Sequence, residues 1–253
     1  MQLSSTIAAW YRENARDLPW RRPGFSAWGV LVSEIMLQQT PVARVIPRLE
    51  QWLARWPTPD ALAADSPAEA VRAWDRLGYP RRALNLHAAA TAIAERHDGE
   101  VPADVDALLA LPGIGDYTAR AVACFAFRMP VPVVDVNTRR VIARAVHGQG
   151  EAGPARTPKC DACPIAELCA WRAAGYPAYD GPLAPRQARF EGSDRQVRGI
   201  IMAALRGADA VSHDEVAALW PDAVQRERAL AGLLSDGLAV GDPERGYRLP
   251  GGA

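Results

Sequence analysis

The sequence has no apolar run approaching the roughly 20 residues that a membrane helix needs, so a bilayer-spanning protein is not expected. Its opening, MQLSSTIAAWYRENARDLPW, lacks a basic segment leading into an apolar one, and no secretory signal is expected there. An excess of one charge is also missing: 29 Lys and Arg stand against 29 Asp and Glu. A globally basic nucleic-acid binder is therefore not indicated, and any anion-binding face must be local. No long repeat or low-complexity tract is present, which sets aside repeat arrays. Cysteine is scarce, at four residues, and a secreted disulfide framework is not expected without a signal segment. A cytoplasmic location and a monomer are the expectations. What is present, 49% hydrophobic and 23% charged residues, is the composition of a globular protein.

The 21 prolines and 20 glycines break the chain into many short helices. Ile7, Ala8, Trp10 and Tyr11 mark an amphipathic helix over 4–14. Residues 27–39, AWGVLVSEIMLQQ, read as a buried helix, and Pro41 opens another over 42–54. Further helices are expected at 59–64, 67–76, 81–97, 104–110, 117–127 and 137–146, and strand signals are weak up to this point. Gly175, Pro177, Gly181, Pro182 and Pro185 make 174–192 irregular, with a linker at 179–192. Beyond it, helices are expected over 193–205 with Ser193 as cap, from a Ser212–Glu215 capping box, and over 222–236. A hairpin pairing 238–240 with 247–249 would complete a winged-helix-like module over 193–253.

Three of the cysteines cluster as Cys160-x2-Cys163-x5-Cys169, which reads as a metal or iron–sulfur site, with chance clustering as the alternative. Cys124, alone in an apolar helical run, reads as a core residue. LPGIG at 111–115 lies between two helices. Gly113 and Gly115 let the backbone turn tightly, and the following helix aims its first N–H groups outward, so a DNA phosphate could be held there without side-chain charge. A plain turn between helices is the alternative. Asp135 follows two β-branched residues at a loop-to-helix junction, where a helix cap and a catalytic carboxylate are both open readings. In SEIMLQQT, Glu34 shares a helix face with Leu31 and Leu37. A carboxyl held among apolar groups should have a raised pKa, suited to general acid work. Gln38, Gln39 and Thr40 crowd uncharged hydrogen-bonding groups at the same helix end, suited to base edges or to filling a gap in a duplex.

SEIMLQQT, LGYPRRALNLH at 77–87, LPGIGDYTA at 111–119, VDVN at 134–137 and the cysteine cluster stand in the order seen in MutY-type adenine DNA glycosylases, and the chain resembles that branch of the helix–hairpin–helix base-excision superfamily. The resemblance spans essentially 1–178 and implies an all-α fold: a helical barrel lobe over 25–135, a cluster lobe from 1–24 and 136–178, and DNA between them. It implies removal of adenine mispaired with 8-oxoguanine or guanine in duplex DNA, by base flipping. By the same resemblance, Glu34 matches the acid that protonates adenine and activates water, and Asp135 the carboxylate that stabilises the cationic sugar. Tyr117 matches a position supporting the acid or the intermediate, and Asn137 one that holds the water or the carboxylate. Gln38, Gln39 and Tyr79 match residues wedged at the lesion pair, with Thr40 beside them. Gly113 and Gly115 match the phosphate-gripping hairpin. Arg81, Arg82, Arg139, Arg140 and Arg144 cluster where DNA is expected. Lyase relatives place a nucleophilic Lys where Tyr117 stands, so a monofunctional enzyme is implied.

The family's cluster has four cysteines, C-x6-C-x2-C-x5-C, holding a [4Fe–4S] cluster. Here the first position falls on Gly153, leaving Cys160, Cys163 and Cys169. Only GQGEAGPARTPK joins His147 to Cys160, where the family carries a helical stretch, so an internal deletion is expected. A deletion-damaged relative that binds DNA without cleaving it, a glycosylase/lyase, and a metal-sensing winged-helix DNA binder are the competing readings. The last leaves Glu34, Asp135 and the hairpin without a role.

Overall fold

The computed structural model describes residues 2–150, 158–182 and 189–252. In chain order the first helices are α1 (Gln2–Asn14), α2 (Ala27–Leu37), α3 (Val42–Arg55), α4 (Pro59–Ala63), α5 (Pro67–Trp74) and α6 (Arg81–Arg96). They continue as α7 (Val105–Leu109), α8 (Asp116–Phe127), α9 (Val136–Ala145), α10 (Ala170–Ala173), α11 (Asp194–Gly207), α12 (His213–Ala218) and α13 (Ala223–Ser235). Two short strands follow, β1 (Val240–Asp242) and β2 (Gly246–Arg248). The chain is all-α apart from this hairpin, and among the described residues no helix is long and apolar enough to cross a membrane. The chain divides into two compact units: Met1–Arg21 with Pro132–Gln187, and Arg22–Val131 with Ala188–Ala253.

In the larger unit, polar caps and prolines set the helix starts. Ser26, Thr58, Ser66 and Asp104 each accept a backbone N–H of the helix they precede, and α4 and α5 begin with Pro at a position whose N–H has no helical partner. Helix α2 is buried on nearly every side and packs against α3, α6 and α8. The unit's core includes the fully buried Trp52, Trp74, Leu49, Leu86, Ile93 and Leu108. Trp52 meets Trp56 and Trp74 edge to face, at centroid separations of 4.6 and 5.7 Å.

Helices α11–α13 and the β-hairpin form a winged-helix-like module in the same unit, cored by Val197, Ile201, Leu205, Leu233 and Leu249. Val211, between α11 and α12, bridges to Tyr247 and adds a third edge to the wing. The expected capping box is present: Ser212 Oγ accepts from Glu215 N–H, and Glu215 accepts from Ser212 N–H. The hairpin pairs Val240 with Arg248 and Asp242 with Gly246, further along than the sequence pattern suggests. Leu238 and Ala239 give their N–H groups to the Leu233 carbonyl at the end of α13, so the strand starts only after them. Asp242 then accepts from the N–H groups of Glu244 and Arg245 and closes the turn early. Ser193 stands at the start of α11, but its hydroxyl donates to the Phe190 carbonyl and makes no helix cap. Cys124, expected in the core, is half-buried on α8.

The smaller unit is thinly packed. Helix α1 has no buried residue, and its apolar stripe of Ile7, Trp10 and Tyr11 is exposed. Helix α9 buries only Ala145 and packs on α10. The Arg144 guanidinium lies 4.9 Å from the Trp171 ring centre, and Trp171 Nε1 donates to the Pro177 carbonyl. Replacing Ser212 by Ala removes the arm of the capping box in which its hydroxyl accepts from Glu215 N–H, and should lower stability by about 1 kcal/mol. A thermal melt that does not move would remove the box as a stabilising element.

Candidate active site

Glu34 sits in the last turns of α2 and is only 7% exposed. It lies between Leu31 and Ile35, both buried, as the apolar spacing of the helix requires. At the end of α2 the chain turns sharply. Gln38 Nε2 donates to Thr118 Oγ1 at 3.3 Å, tying this end to α8. Gln39 is exposed and holds φ at +55°, and Tyr79, 55% exposed, holds φ at +49°. Left-handed backbone at a non-glycine residue costs on the order of 1 kcal/mol or more and persists only where neighbours impose it.

The group that imposes it is Arg82. Its Nη1 donates to the carbonyls of Ile35 (2.7 Å), Met36 (3.1 Å) and Gln38 (2.6 Å). Its Nη2 donates to the Gly78 carbonyl (3.0 Å) and to Thr40 Oγ1 (3.1 Å). One guanidinium thus holds the carbonyl just before each strained residue, Gln39 and Tyr79, and satisfies the open end of α2. It also lies 5.2 Å from the Trp74 ring centre and 5.5 Å from that of Tyr79. Burial pushes its pKa down to about 10, against an opposing pull from Tyr79, so it remains charged at neutral pH. The sequence reading placed Arg82 on a DNA-facing patch, and the structure corrects this: the side chain points inward to unpaired carbonyls. Thr40 is buried, with its hydroxyl donating to the Leu77 carbonyl at 3.2 Å. The signal that could have identified Arg82 was a cation at the second position of a helix, shortly after Gly78 and Trp74.

The hairpin runs from α7 through Leu111–Gly115 into α8. Leu111 and Ile114 are buried and hold the turn, with Ile114 N–H donating to the Leu111 carbonyl. Gly113 has φ +74°, and a Cβ there would come within 2.6 Å of Asn85 Cβ on α6. Only glycine meets both constraints. Gly115 starts α8 with no side-chain cap, and a Cβ there would meet nothing within 4 Å. Tyr117 is the second residue of α8 and is exposed. Arg81 is solvent-facing and pairs with Asp236 at 3.6 Å.

Asp135 belongs to the other unit, where it caps α9. Its Oδ1 accepts from Thr138 N–H (2.7 Å) and Thr138 Oγ1 (2.8 Å), and its Oδ2 accepts from Asn137 Nδ2 (3.0 Å). Partial burial works against its charge, yet these donors outweigh it and hold the carboxyl below the usual aspartate range. Asn137 Oδ1 in turn accepts from Arg140, and Arg139 is exposed beside it. Both readings of Asp135 are compatible with this geometry, since one carboxylate both caps and stays ionised.

Cys160, Cys163 and Cys169 lie on consecutive short turns at Cys160–Ala162 and Ala166–Leu168 and before α10. All three are half-buried thiols, and among the described residues no three His, Cys, Asp or Glu are grouped to hold a metal ion. Gly153, where the first family cysteine would fall, lies outside the described residues, as does 183–188 of the expected linker. The three thiols therefore do not form a complete four-thiolate cage, and no chemical step is drawn through a cluster.

A family model described as HhH-GPD superfamily base excision DNA repair protein matches residues 32–158, and one described as iron-sulfur binding domain of endonuclease III matches 155–169. The chain is 47% identical to an Adenine DNA glycosylase of Mycobacterium tuberculosis (strain CDC 1551 / Oshkosh), covering 98% of this chain and 93% of the relative. It is 47% identical to an Adenine DNA glycosylase of Mycolicibacterium smegmatis, covering 97% and 95%. The first alignment runs over 285 positions against a chain of 253 residues, so at least 32 positions are filled by the relative alone. This agrees with an internal segment that the chain lacks. The structure of a thermostable thymine-DNA glycosylase shares the fold, with a TM-score of 0.61 at 24% identity over 68% of this chain and 95% of that one.

Two outcomes test the site's local logic. Arg82→Ala strands several buried carbonyls and should cost on the order of 3 kcal/mol in urea unfolding, with Lys recovering only part because it cannot fork. Asn137→Ala removes a donor from the Asp135 carboxylate and should raise that carboxyl's pKa. A group depressed in the folded state stabilises it above the unfolded pKa and loses this as pH falls through the folded value. The acid-unfolding midpoint should therefore move to higher pH in this variant, and an unmoved midpoint would remove Asn137 as a partner.

Proposed function

The chain belongs to the HhH-GPD superfamily of base excision DNA repair proteins, in its MutY-type adenine DNA glycosylase branch, and on that premise we propose that it hydrolyses the N-glycosidic bond of adenine mispaired with 8-oxoguanine or guanine in duplex DNA. The observation that carries the reading is that each unit holds one of two unlike carboxyls: Glu34 buried in α2, Asp135 held ionised by three donors at the start of α9. Glycosidic cleavage through a cationic sugar wants one proton donor and one fixed anion. Glu34 protonates the adenine ring and so weakens the bond to the sugar. Asp135 stabilises the positive charge that develops as adenine leaves. Water, activated by Glu34 once deprotonated, then attacks the sugar, and Asn137 keeps Asp135 oriented. Tyr117 supports this chemistry from the start of α8.

Adenine must leave the stack first, and Gln38, Gln39 and Tyr79 are the side chains that fill the gap. The open N–H groups from Gly115 grip a phosphate, with Arg139 and Arg81 as further contacts to the backbone. No Lys stands at position 117 or elsewhere in the hairpin, which supports a monofunctional hydrolase. One set of observations favours a second reading, DNA binding without cleavage: α1 buries nothing, and three thiols stand where a full cage needs four.

Single-turnover release of adenine opposite 8-oxoguanine, with iron measured in the same preparation, separates the two. The expected result is release by the native chain, no release by Glu34→Gln, and duplex binding by both. Normal cleavage by Glu34→Gln would overturn the assignment of the acid. Binding without release by the native chain would favour the second reading.

A further inference from the structure

The loop between α5 and α6 presents Tyr79, and Arg82 grips it from within the barrel. From the outside it is held by the C-terminal module. Arg206 of α11 reaches across and donates Nη1 to the Asp75 carbonyl at 3.0 Å. Asp236, just after α13, pairs with Arg81 at 3.6 Å and with Arg198. Arg198 reaches it by lying over Gly232 of α13, where a Cβ would come within 2.4 Å of its Nη1. Arg72 of α5 donates to the Ala208 carbonyl at 3.4 Å and stands 3.7 Å from Asp209. Gly251 abuts the start of α5, where a Cβ would come within 2.7 Å of Pro67 Cδ. Module and loop are thus joined at residues 72, 75 and 81, on either side of Tyr79.

The face that a winged helix commonly offers to DNA is otherwise engaged. Arg228 of α13 is bound to Asp194 by two hydrogen bonds of 2.7 and 2.8 Å, and Arg226 donates to the Trp220 carbonyl at 2.7 Å. The wing turn itself carries Asp242 and Glu244 beside Arg245. Across 193–252 there are seven Arg and no Lys against nine Asp and Glu. A surface with that balance repels a polyphosphate more than it attracts one.

We infer that the C-terminal module is a buttress for the Tyr79 loop, setting how the barrel meets the mispair, rather than a second reader of DNA. Arg206 and Asp236 are its positioning residues. The role of Tyr79 at the mispair rests on the adenine-excision reading, whereas the mechanical coupling does not.

The test uses the full chain. In Arg206→Ala, amide hydrogen exchange over 75–83 should speed up while 27–37 stays unchanged, and Arg206→Lys should restore protection. The same variant should lower the single-turnover rate on the order of tenfold, because small misplacements of positioning groups are felt in the rate, with the melt little moved. Asp236→Ala serves as an independent variant should Arg206→Ala fail to fold. The wing variant Arg245→Glu should leave duplex affinity and its salt dependence unchanged. Unchanged exchange over 75–83 in both Arg206→Ala and Asp236→Ala would overturn the buttress. A loss of affinity in Arg245→Glu, with the salt slope reduced by about one unit per lost phosphate contact, would make the module a DNA reader instead. If the native chain releases no adenine, the excision reading fails, and the exchange result still decides the buttress.

Discussion

A single guanidinium organises the end of α2 and the loop before α6. Helix α2 must end abruptly for Gln38 and Gln39 to emerge, and an abrupt end leaves carbonyls without partners. The loop before α6 must also turn sharply to present Tyr79. Arg82 satisfies carbonyls from both, at Ile35, Met36, Gln38 and Gly78, while Thr40 and Trp74 close around it. Burying a charge is costly, and the cost is visible in the lowered pKa of this arginine. Its return is geometric: two residues in left-handed backbone are held where a freely turning loop would relax them.

The two carboxyls of the site are prepared by opposite means. Glu34 is only 7% exposed on a helix that is buried almost all round, a setting that suits a proton donor. Asp135 is surrounded by donors at a helix start, which is the setting of a permanent anion. Each environment follows from an element with its own reason to form, so the chemistry adds little to what folding already demands. The larger unit is well cored around Trp52 and Trp74, whereas the smaller one leaves the stripe of α1 exposed.

Much of the fold could be read from local rules. Ser26, Asp104, Ser212 and the prolines opening α4 and α5 mark helix starts because capping is a local interaction, decided within four residues. Glu34 was legible from its apolar neighbours, Asp135 from its place before a helix, and Gly113 from the two-glycine turn. Ser193 stands where a cap was expected but donates its hydroxyl to the Phe190 carbonyl, because a rotatable hydroxyl has several partners within reach. The hairpin shifted because the end of α13 claims the N–H groups of Leu238 and Ala239.

The sequence by itself determined the helical class, the chain order of the motifs and the chemical type of each candidate residue, because these depend on spacing and side-chain chemistry alone. Only the tertiary structure decided that Arg82 points inward, that Arg81 meets Asp236, and that Arg206 reaches the Asp75 carbonyl. The residues in the last contact are 131 positions apart. No periodicity encodes such a meeting, because it depends on how whole helices pack and on which carbonyls that packing leaves unsatisfied.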